Sequence, residues 1–195
     1  TEVPAMPLDD TPWQDLTSLN DPQRPLMRGY PLPRIGLALG AGVARGFAHV
    51  GVIRALARHG IKPDVIAGTS IGAVVGGVYL ASRLDEFEDW ALSLNRRKLF
   101  GYLDFTVRSP GIIVGKKFTG ALEEHLKGIQ IADLPHPFIA IATDVATGHE
   151  VWLRRGPLIE AMRASFAMPG IFPPVQINGQ NLIDGALVNP TPVST

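Results

Sequence analysis

Two kinds of apolar pattern alternate along the chain from residue 34 onward. Short continuous apolar runs at 34–39 and 64–68 predict buried strands, each ending at or beside a glycine. The segment 47–60 repeats its apolar residues at a helical period, and the segment 70–82 is apolar on nearly all sides, as in a central, buried helix. The order strand, helix, strand, helix indicates a parallel α/β core with right-handed crossovers.

The second half of the chain carries further signals of the same kinds. We predict amphipathic helices at 84–97 and 116–128, a turn at Ser109–Gly111, a buried strand at 138–144, an extended segment at 149–154 and a helix at 157–168. Asn178-Gly179 lies between two short extended runs, which is typical of a β-hairpin. Asp184 would lie at the end of this hairpin, at a turn that contains glycine.

The first 33 residues differ from the rest. They hold seven of the 17 prolines and no long periodic pattern. We therefore interpret residues 1–33 as an irregular arm with one short helix near Pro12–Leu19. Residues 34–195 are predicted to form one domain, since they suffice for a sizeable core.

Composition removes several classes of function. Lys plus Arg and Asp plus Glu balance at 18 each, which gives no broad electrostatic reason to bind nucleic acid. The absence of cysteine excludes disulfides, thiolate metal sites and a cysteine nucleophile. No apolar run reaches the roughly 18 residues of a transmembrane helix, and no cluster of metal-ligating side chains is apparent.

The stretch "GTSIG" (68–72) places Ser70 between two glycines, after a strand and before a helix. A nucleophilic serine on a tight strand-to-helix turn needs such small neighbours, so that the strand and helix can approach. Serine is also favoured as an ordinary helix N-cap. The pentapeptide alone leaves both interpretations open.

The stretch "GAGVARG" (40–46) predicts a glycine-rich turn between the first strand and the first helix. Its backbone N–H groups could bind an anion: the oxyanion of a tetrahedral intermediate or the pyrophosphate of a dinucleotide. The dinucleotide fingerprint fits poorly, because the spacing is Gly-x-Gly-x-x-x-Gly and Asp64 begins the second strand instead of ending it. Arg45 could orient the loop, attract a phosphate-bearing substrate or form a surface salt bridge.

The general base is not an obvious histidine. None of the five histidines follows "DGA" (184–186) or lies in a glycine-framed turn, and each is expected to be a surface or hydrogen-bonded residue. Either the chain is cut before its histidine or the base is a carboxylate, since an aspartate can accept a serine proton directly. Asp184 is therefore a candidate partner for Ser70, although an Asp-Gly pair alone is usually only a turn.

Together, "LGAGVARGFAHVGV", "GTSIG", "ASFAMPGIFPPV" and "DGALVNPTPV" resemble the patatin-like phospholipases, and most closely their bacterial RssA-like branch. The resemblance covers residues 34–194 and implies a three-layer α/β/α fold with a mostly parallel central sheet. Such domains usually continue with another helix and strand, so the domain is expected to be incomplete at its C-terminal end.

The resemblance also assigns roles to residues. It implies that Ser70 is the nucleophile, that Asp184 is the general base and that no metal or other cofactor is needed. It implies an oxyanion hole at Gly40, Gly42, Val43 and Ala44, supported by Arg45, Gly46, Gly68, Gly72 and Gly185. The family often has a glycine where Val43 stands, and valine disfavours a positive φ.

The function that the resemblance implies is hydrolysis of acyl esters of phospholipids or related lipids. The expected partner is the lipid substrate, with peripheral contact at a membrane, no nucleic acid and an undetermined oligomeric state. The expected location is the cytoplasm. The alternative is a non-catalytic regulatory or lipid-binding module that retains the same fold.

Overall fold

A computed structural model describes residues 34–93, 120 and 122–195. The strands are β1 (Gly36–Leu39), β2 (Val65–Thr69), β3 (Phe138–Asp144), β4 (Glu150–Leu153), β5 (Val175–Ile177) and β6 (Gln180–Asp184). The helices are α1 (Ala48–Arg58), α2 (Ile71–Leu80), α3 (Leu84–Ser93) and α4 (Leu158–Ser165). Short 3₁₀ helices lie at Val43–Phe47, Ile131–Asp133 and Gly185–Leu187, and residues 122–126 are helical.

These elements confirm the sequence-based predictions over the described residues. Each predicted strand and helix there is present, with ends shifted by a few residues, and α4 begins directly after Pro157, which is its N-cap. The predicted helix near Pro12–Leu19 and the predicted turn at Ser109–Gly111 lie outside the described residues, as do parts of the helices predicted at 84–97 and 116–128.

The strands form one mixed sheet with a parallel core. β1 pairs with β2 and β2 pairs with β3, both in the parallel sense. β4 and β6 pair antiparallel with β3, and β5 pairs antiparallel with β6. The predicted α/β core of parallel strands is confirmed, and the antiparallel strands β4 and β6 pair with opposite edges of β3.

The pairing registers place β2 and β6 end to end along one edge of β3. Ala140 and Ile141 pair with both β2 and β4, so these two strands flank β3 on opposite edges. Ala142 and Thr143 pair with both β4 and β6, so β6 lies on the same edge as β2. Thr69 of β2 faces Ile141, and Asp184 of β6 faces the next residue along β3.

The helix α2 is the centre of the hydrophobic core. All of its residues except Tyr79 are buried, which confirms the prediction from its continuous apolar sequence. One face contacts the strands β1, β2 and β3, while α1, α3 and α4 contact its other sides. A helix enclosed in this way is fixed in position, and its first residue follows Ser70 directly.

The glycines of "GTSIG" allow β1, β2 and α2 to approach closely. A Cβ on Gly68 would lie 2.6 Å from the backbone of Ala73, in the first turn of α2. A Cβ on Gly72 would lie 2.0 Å from the carbonyl oxygen of Leu39. Neither contact leaves room for a side chain, so these glycines are required by packing rather than by a positive φ.

The hairpin that carries Asp184 has the predicted turn. Asn178 and Gly179 have φ values of 49° and 82°, so both central residues are left-handed, as in a type I′ turn. The turn sets the pairing of Ile177 with Gln180. Together with the pairing of Asp184 with Ala142 of β3, this register fixes which face of the sheet the Asp184 side chain occupies.

We predict that Gly72→Ala destabilises the protein, because the new methyl group meets the backbone of β1. Overpacking of this kind typically costs about 1–3 kcal/mol or more. Gly51→Ala is the matched control, since Gly51 also lies in a helix but a Cβ there would have no atom within 4 Å. It should stabilise by roughly 0.5–1 kcal/mol. Urea denaturation measures both, and equal effects of the two substitutions would contradict the packing argument.

Candidate active site

Ser70 lies on a sharp turn between β2 and α2. Its φ of 56° and ψ of −124° are unfavourable for a residue with a side chain. It occupies the N-cap position of α2, yet its hydroxyl makes no capping hydrogen bond. The Oγ atom instead donates to Oδ2 of Asp184 at 2.7 Å. The helix-cap interpretation therefore does not account for this side chain.

Asp184 is the last residue of β6 and is almost completely buried, with 3% of its surface exposed. Oδ2 accepts the hydroxyl of Ser70, and Oδ1 accepts the backbone N–H of Ala186 at 2.8 Å. Burial raises the pKa of Asp184, and the two hydrogen bonds oppose that rise only in part. The carboxylate is thus more basic than an exposed aspartate.

The end of α4 supports the backbone of both residues. The backbone N–H of Ser70 donates to Oγ of Ser165 at 2.9 Å, and Ser165 is completely buried. The backbone N–H of Asp184 donates to the carbonyl oxygen of Ala167 at 3.0 Å. On the other side of Asp184, the hydroxyl of Thr143 donates to its carbonyl oxygen at 2.9 Å.

Sequence reasoning missed these supporting residues. Ser165 begins the stretch "SFAMPG", which contributed to the family resemblance, but nothing in its local pattern links it to Ser70. Thr143 is one residue of a continuous apolar strand. The contacts span 95 and 41 residues of sequence, so only the folded arrangement reveals them.

A second buried carboxylate, Asp144, lies nearby in β3 but has a different environment. Its Oδ1 accepts the backbone N–H of Ala146 at 2.8 Å, and its Oδ2 accepts the side-chain amide of Gln180 at 2.9 Å. These hydrogen bonds lower the pKa of Asp144, with the Ala146 bond contributing most. Both oxygens of Asp144 accept hydrogen bonds from groups other than Ser70, whereas Asp184 accepts the Ser70 hydroxyl, so Asp184 is the better placed base.

The glycine-rich loop follows β1 and faces the start of α2. Val43 has a φ of 49°, so the valine adopts the left-handed conformation that its branched side chain disfavours. Among the described residues, none accepts a hydrogen bond from the backbone N–H of Gly42 or Val43. A Cβ on Gly46 would lie 2.0 Å from the side chain of Ile71, so this glycine lets the loop contact the residue after Ser70.

The other predicted residues also have definite places. Gly40 and Ala44 lie in the same loop, and Arg45 is exposed there without an ion pair to any described residue. A Cβ on Gly185 would lie 2.2 Å from the carbonyl oxygen of Ile141, which explains a glycine after Asp184. The carboxylate of Asp64 accepts the backbone N–H of Ile35 at the opposite end of the strands, away from the loop.

No group of three or more His, Asp or Glu side chains in the described part of the chain could hold a metal ion. No helix there has both the length and the apolar character needed to cross a membrane.

Comparisons with known proteins agree with the geometry. The family model for "Patatin-like phospholipase" matches residues 37–195. An uncharacterized NTE family protein of Mycobacterium tuberculosis is 46% identical over 168 residues, which are 86% of this chain and 47% of that protein. A lysophospholipase of Emericella nidulans is 33% identical over 164 residues, which are 80% of this chain and 10% of that protein.

Solved structures give the same fold. VipD from Legionella pneumophila matches with a TM-score of 0.54 and 15% identity, over 79% of this chain and 46% of that one. This chain spans about half the length of the mycobacterial relatives it matches, or less for longer ones. The narrower resemblance to the RssA-like branch stays a prediction. From the matched residues and the identities above, the chain belongs to the patatin-like phospholipase family.

Proposed function

We propose that this chain is a serine acyl hydrolase that cleaves acyl esters of phospholipids or related lipids through a Ser70–Asp184 dyad. The observation that carries the proposal is the 2.7 Å hydrogen bond from the Ser70 hydroxyl to a buried carboxylate whose pKa is raised. A hydroxyl paired with a basic carboxylate has the arrangement needed for general-base activation of a nucleophile.

In the first half of the reaction, Asp184 takes the proton of Ser70 as Oγ attacks the ester carbonyl carbon. The negative charge that develops on the carbonyl oxygen needs hydrogen-bond donors. The N–H groups of Gly42 and Val43, which have no acceptor in the described part of the chain, are candidates, together with the positive end of α2. Collapse of the intermediate breaks the ester bond, and Asp184 returns the proton to the leaving alcohol.

In the second half, water attacks the acyl group held on Ser70. Asp184 accepts one proton from that water, and a second tetrahedral intermediate forms at the same oxyanion site. Its collapse releases the fatty acid, and the proton on Asp184 restores the hydroxyl of Ser70. Each half of the cycle uses the same base and the same oxyanion donors, so no further titrating group is required.

The names of relatives support the lipid substrate class. The family model is described as phospholipase, and the Emericella nidulans relative is named a lysophospholipase. A lipid substrate would bring the protein to a membrane surface, and this peripheral contact is part of the proposal. The alternative, a non-catalytic module with the same fold, would leave the buried and strained pairing of Ser70 with Asp184 without a use.

We expect Ser70→Ala to abolish both ester hydrolysis and labelling by a fluorophosphonate probe. Both processes require the Oγ atom, and loss of a serine nucleophile removes the covalent route entirely. The measurement is turnover of a short-chain p-nitrophenyl ester and of micellar phospholipid, with circular dichroism to confirm folding. Labelling of the folded variant at the wild-type rate would remove Ser70 as the nucleophile.

We expect Asp184→Asn to lose turnover while gaining stability at neutral pH. The raised pKa means that the folded protein binds the Asp184 proton more tightly than the unfolded chain does. Wild-type stability therefore falls as the pH rises from the ordinary carboxyl pKa through the raised value, and it stays lower above. Asparagine does not titrate. The difference in melting temperature between variant and wild type should shrink toward acid pH, and a constant difference would contradict this explanation.

We expect the acid limb of kcat/KM to lie above 3.8, the ordinary value for an aspartate. Only the ionised carboxylate can accept the serine proton, so activity is lost as the pH falls through the raised pKa of Asp184. The measurement is a pH profile with an uncharged ester, checked against protein stability at each pH. An apparent pKa at or below 3.8 would argue against Asp184 as the base.

A further inference from the structure

One histidine contacts the glycine-rich loop directly. His49 is the second residue of α1, and its Nε2 atom donates to the carbonyl oxygen of Gly40 at 2.8 Å. The side chain is partly buried. The hydrogen bond joins α1 to the start of the loop that carries Gly42 and Val43.

The peptide group between Gly40 and Ala41 forms a second hydrogen bond, on its opposite side. The backbone N–H of Ala41 donates to the carbonyl oxygen of Pro190 at 2.8 Å. The C=O of Gly40 and the N–H of Ala41 belong to one peptide unit, and in a trans peptide they point in opposite directions. His49 and Pro190 therefore form hydrogen bonds with the same peptide group, on its two opposite sides.

The segment that contains Pro190 is also connected to both members of the proposed dyad. Pro190 lies six residues after Asp184 in the chain. The hydroxyl of Thr69, the residue before Ser70, donates to the carbonyl oxygen of Asn189 at 2.8 Å. The segment that holds the Ala41 N–H is thus tied to the strand that presents the nucleophile.

The peptide plane determines where the following N–H groups point. Gly42 follows Ala41 directly, and its φ of 170° is extended backbone. Val43 then turns into the left-handed region. With the Gly40–Ala41 plane fixed, the path through Gly42 and Val43 has only a few torsion angles left to vary. Release of one side of the plane would let the N–H groups of both residues change direction.

We propose that His49 is a positioning residue, which acts through the Gly40 carbonyl to aim the oxyanion-binding N–H groups at the site in front of Ser70. This inference rests on the function proposed above. The hydrogen bond of His49 goes to the Gly40 carbonyl and not to Ser70 or Asp184, so we expect its contribution in the transition state rather than in substrate binding. Its loss should lower kcat and leave KM nearly unchanged.

The test compares replacements of His49 that differ in one property. Glutamine places an N–H donor near the position of Nε2, whereas asparagine carries its amide closer to the main chain and leucine has no donor. We expect His49→Leu and His49→Asn to lower kcat about 10- to 100-fold, in the range of a misplaced catalytic group. His49→Gln should stay within about threefold of wild type.

The matched control is His59→Leu, because His59 is an exposed histidine that follows the same helix. All variants are assayed as the full chain with p-nitrophenyl butyrate, and their melting temperatures are recorded. A kcat of His49→Asn equal to that of His59→Leu would overturn the inference. So would a His49→Gln variant as slow as His49→Leu.

A Ser70→Ala sample in the same assay distinguishes failure of the His49 positioning role from failure of the proposed hydrolase function. Wild-type turnover that depends on Ser70 but is insensitive to His49→Leu and His49→Asn defeats only the positioning role. Turnover that persists in Ser70→Ala, or a wild-type protein without turnover on either ester or micellar phospholipid, defeats the proposed function and the positioning role together.

Discussion

The meeting of Ser70 with Asp184 depends on one edge of β3, along which two strands pair one after the other. β2 occupies the first part of that edge and β6 the second, so the ends of both strands meet between Ile141 and Ala142. Ser70 leaves the sheet at this junction and Asp184 arrives at it. A serine and an aspartate 114 residues apart in sequence thereby come within hydrogen-bond distance. The antiparallel sense of β6 is essential, because it brings its C-terminal residue to the junction.

The site combines backbone strain with very close packing. Ser70 and Val43 have positive φ values at the site. Holding a residue with a side chain in such a conformation costs about 1–3 kcal/mol of folding stability. The motif glycines 46, 68, 72 and 185 serve instead to let backbone and side chains approach. The enclosed helix α2 and the hydrogen bond from Ser70 to Ser165 hold the strained turn in place. The glycines thus allow the close packing that holds Ser70 in its unfavourable backbone conformation.

Much of this structure could be predicted from the sequence, because local patterns carry it. The apolar periods gave the order of elements, and Asn178-Gly179 gave the hairpin. The residues alone made Asp184 no more than a candidate partner for Ser70, and the family resemblance assigned the pair, since their meeting depends on strand registers that no local pattern encodes. For the same reason, the support from Ser165 and the contact of His49 with Gly40 were not predictable. Valine at position 43 gave no sign of the left-handed backbone found there, because its branched side chain disfavours that conformation.

The two-residue turn at Asn178-Gly179 has a consequence for how this protein can change in evolution. Side chains alternate between the faces of a strand, so a single inserted or deleted residue in this hairpin would move position 184 to the opposite face of the sheet. The core would lose Leu182 at the same time. The length of this turn therefore constrains the site as directly as the identity of residue 184 does, although the turn lies at the opposite end of β6 from Asp184.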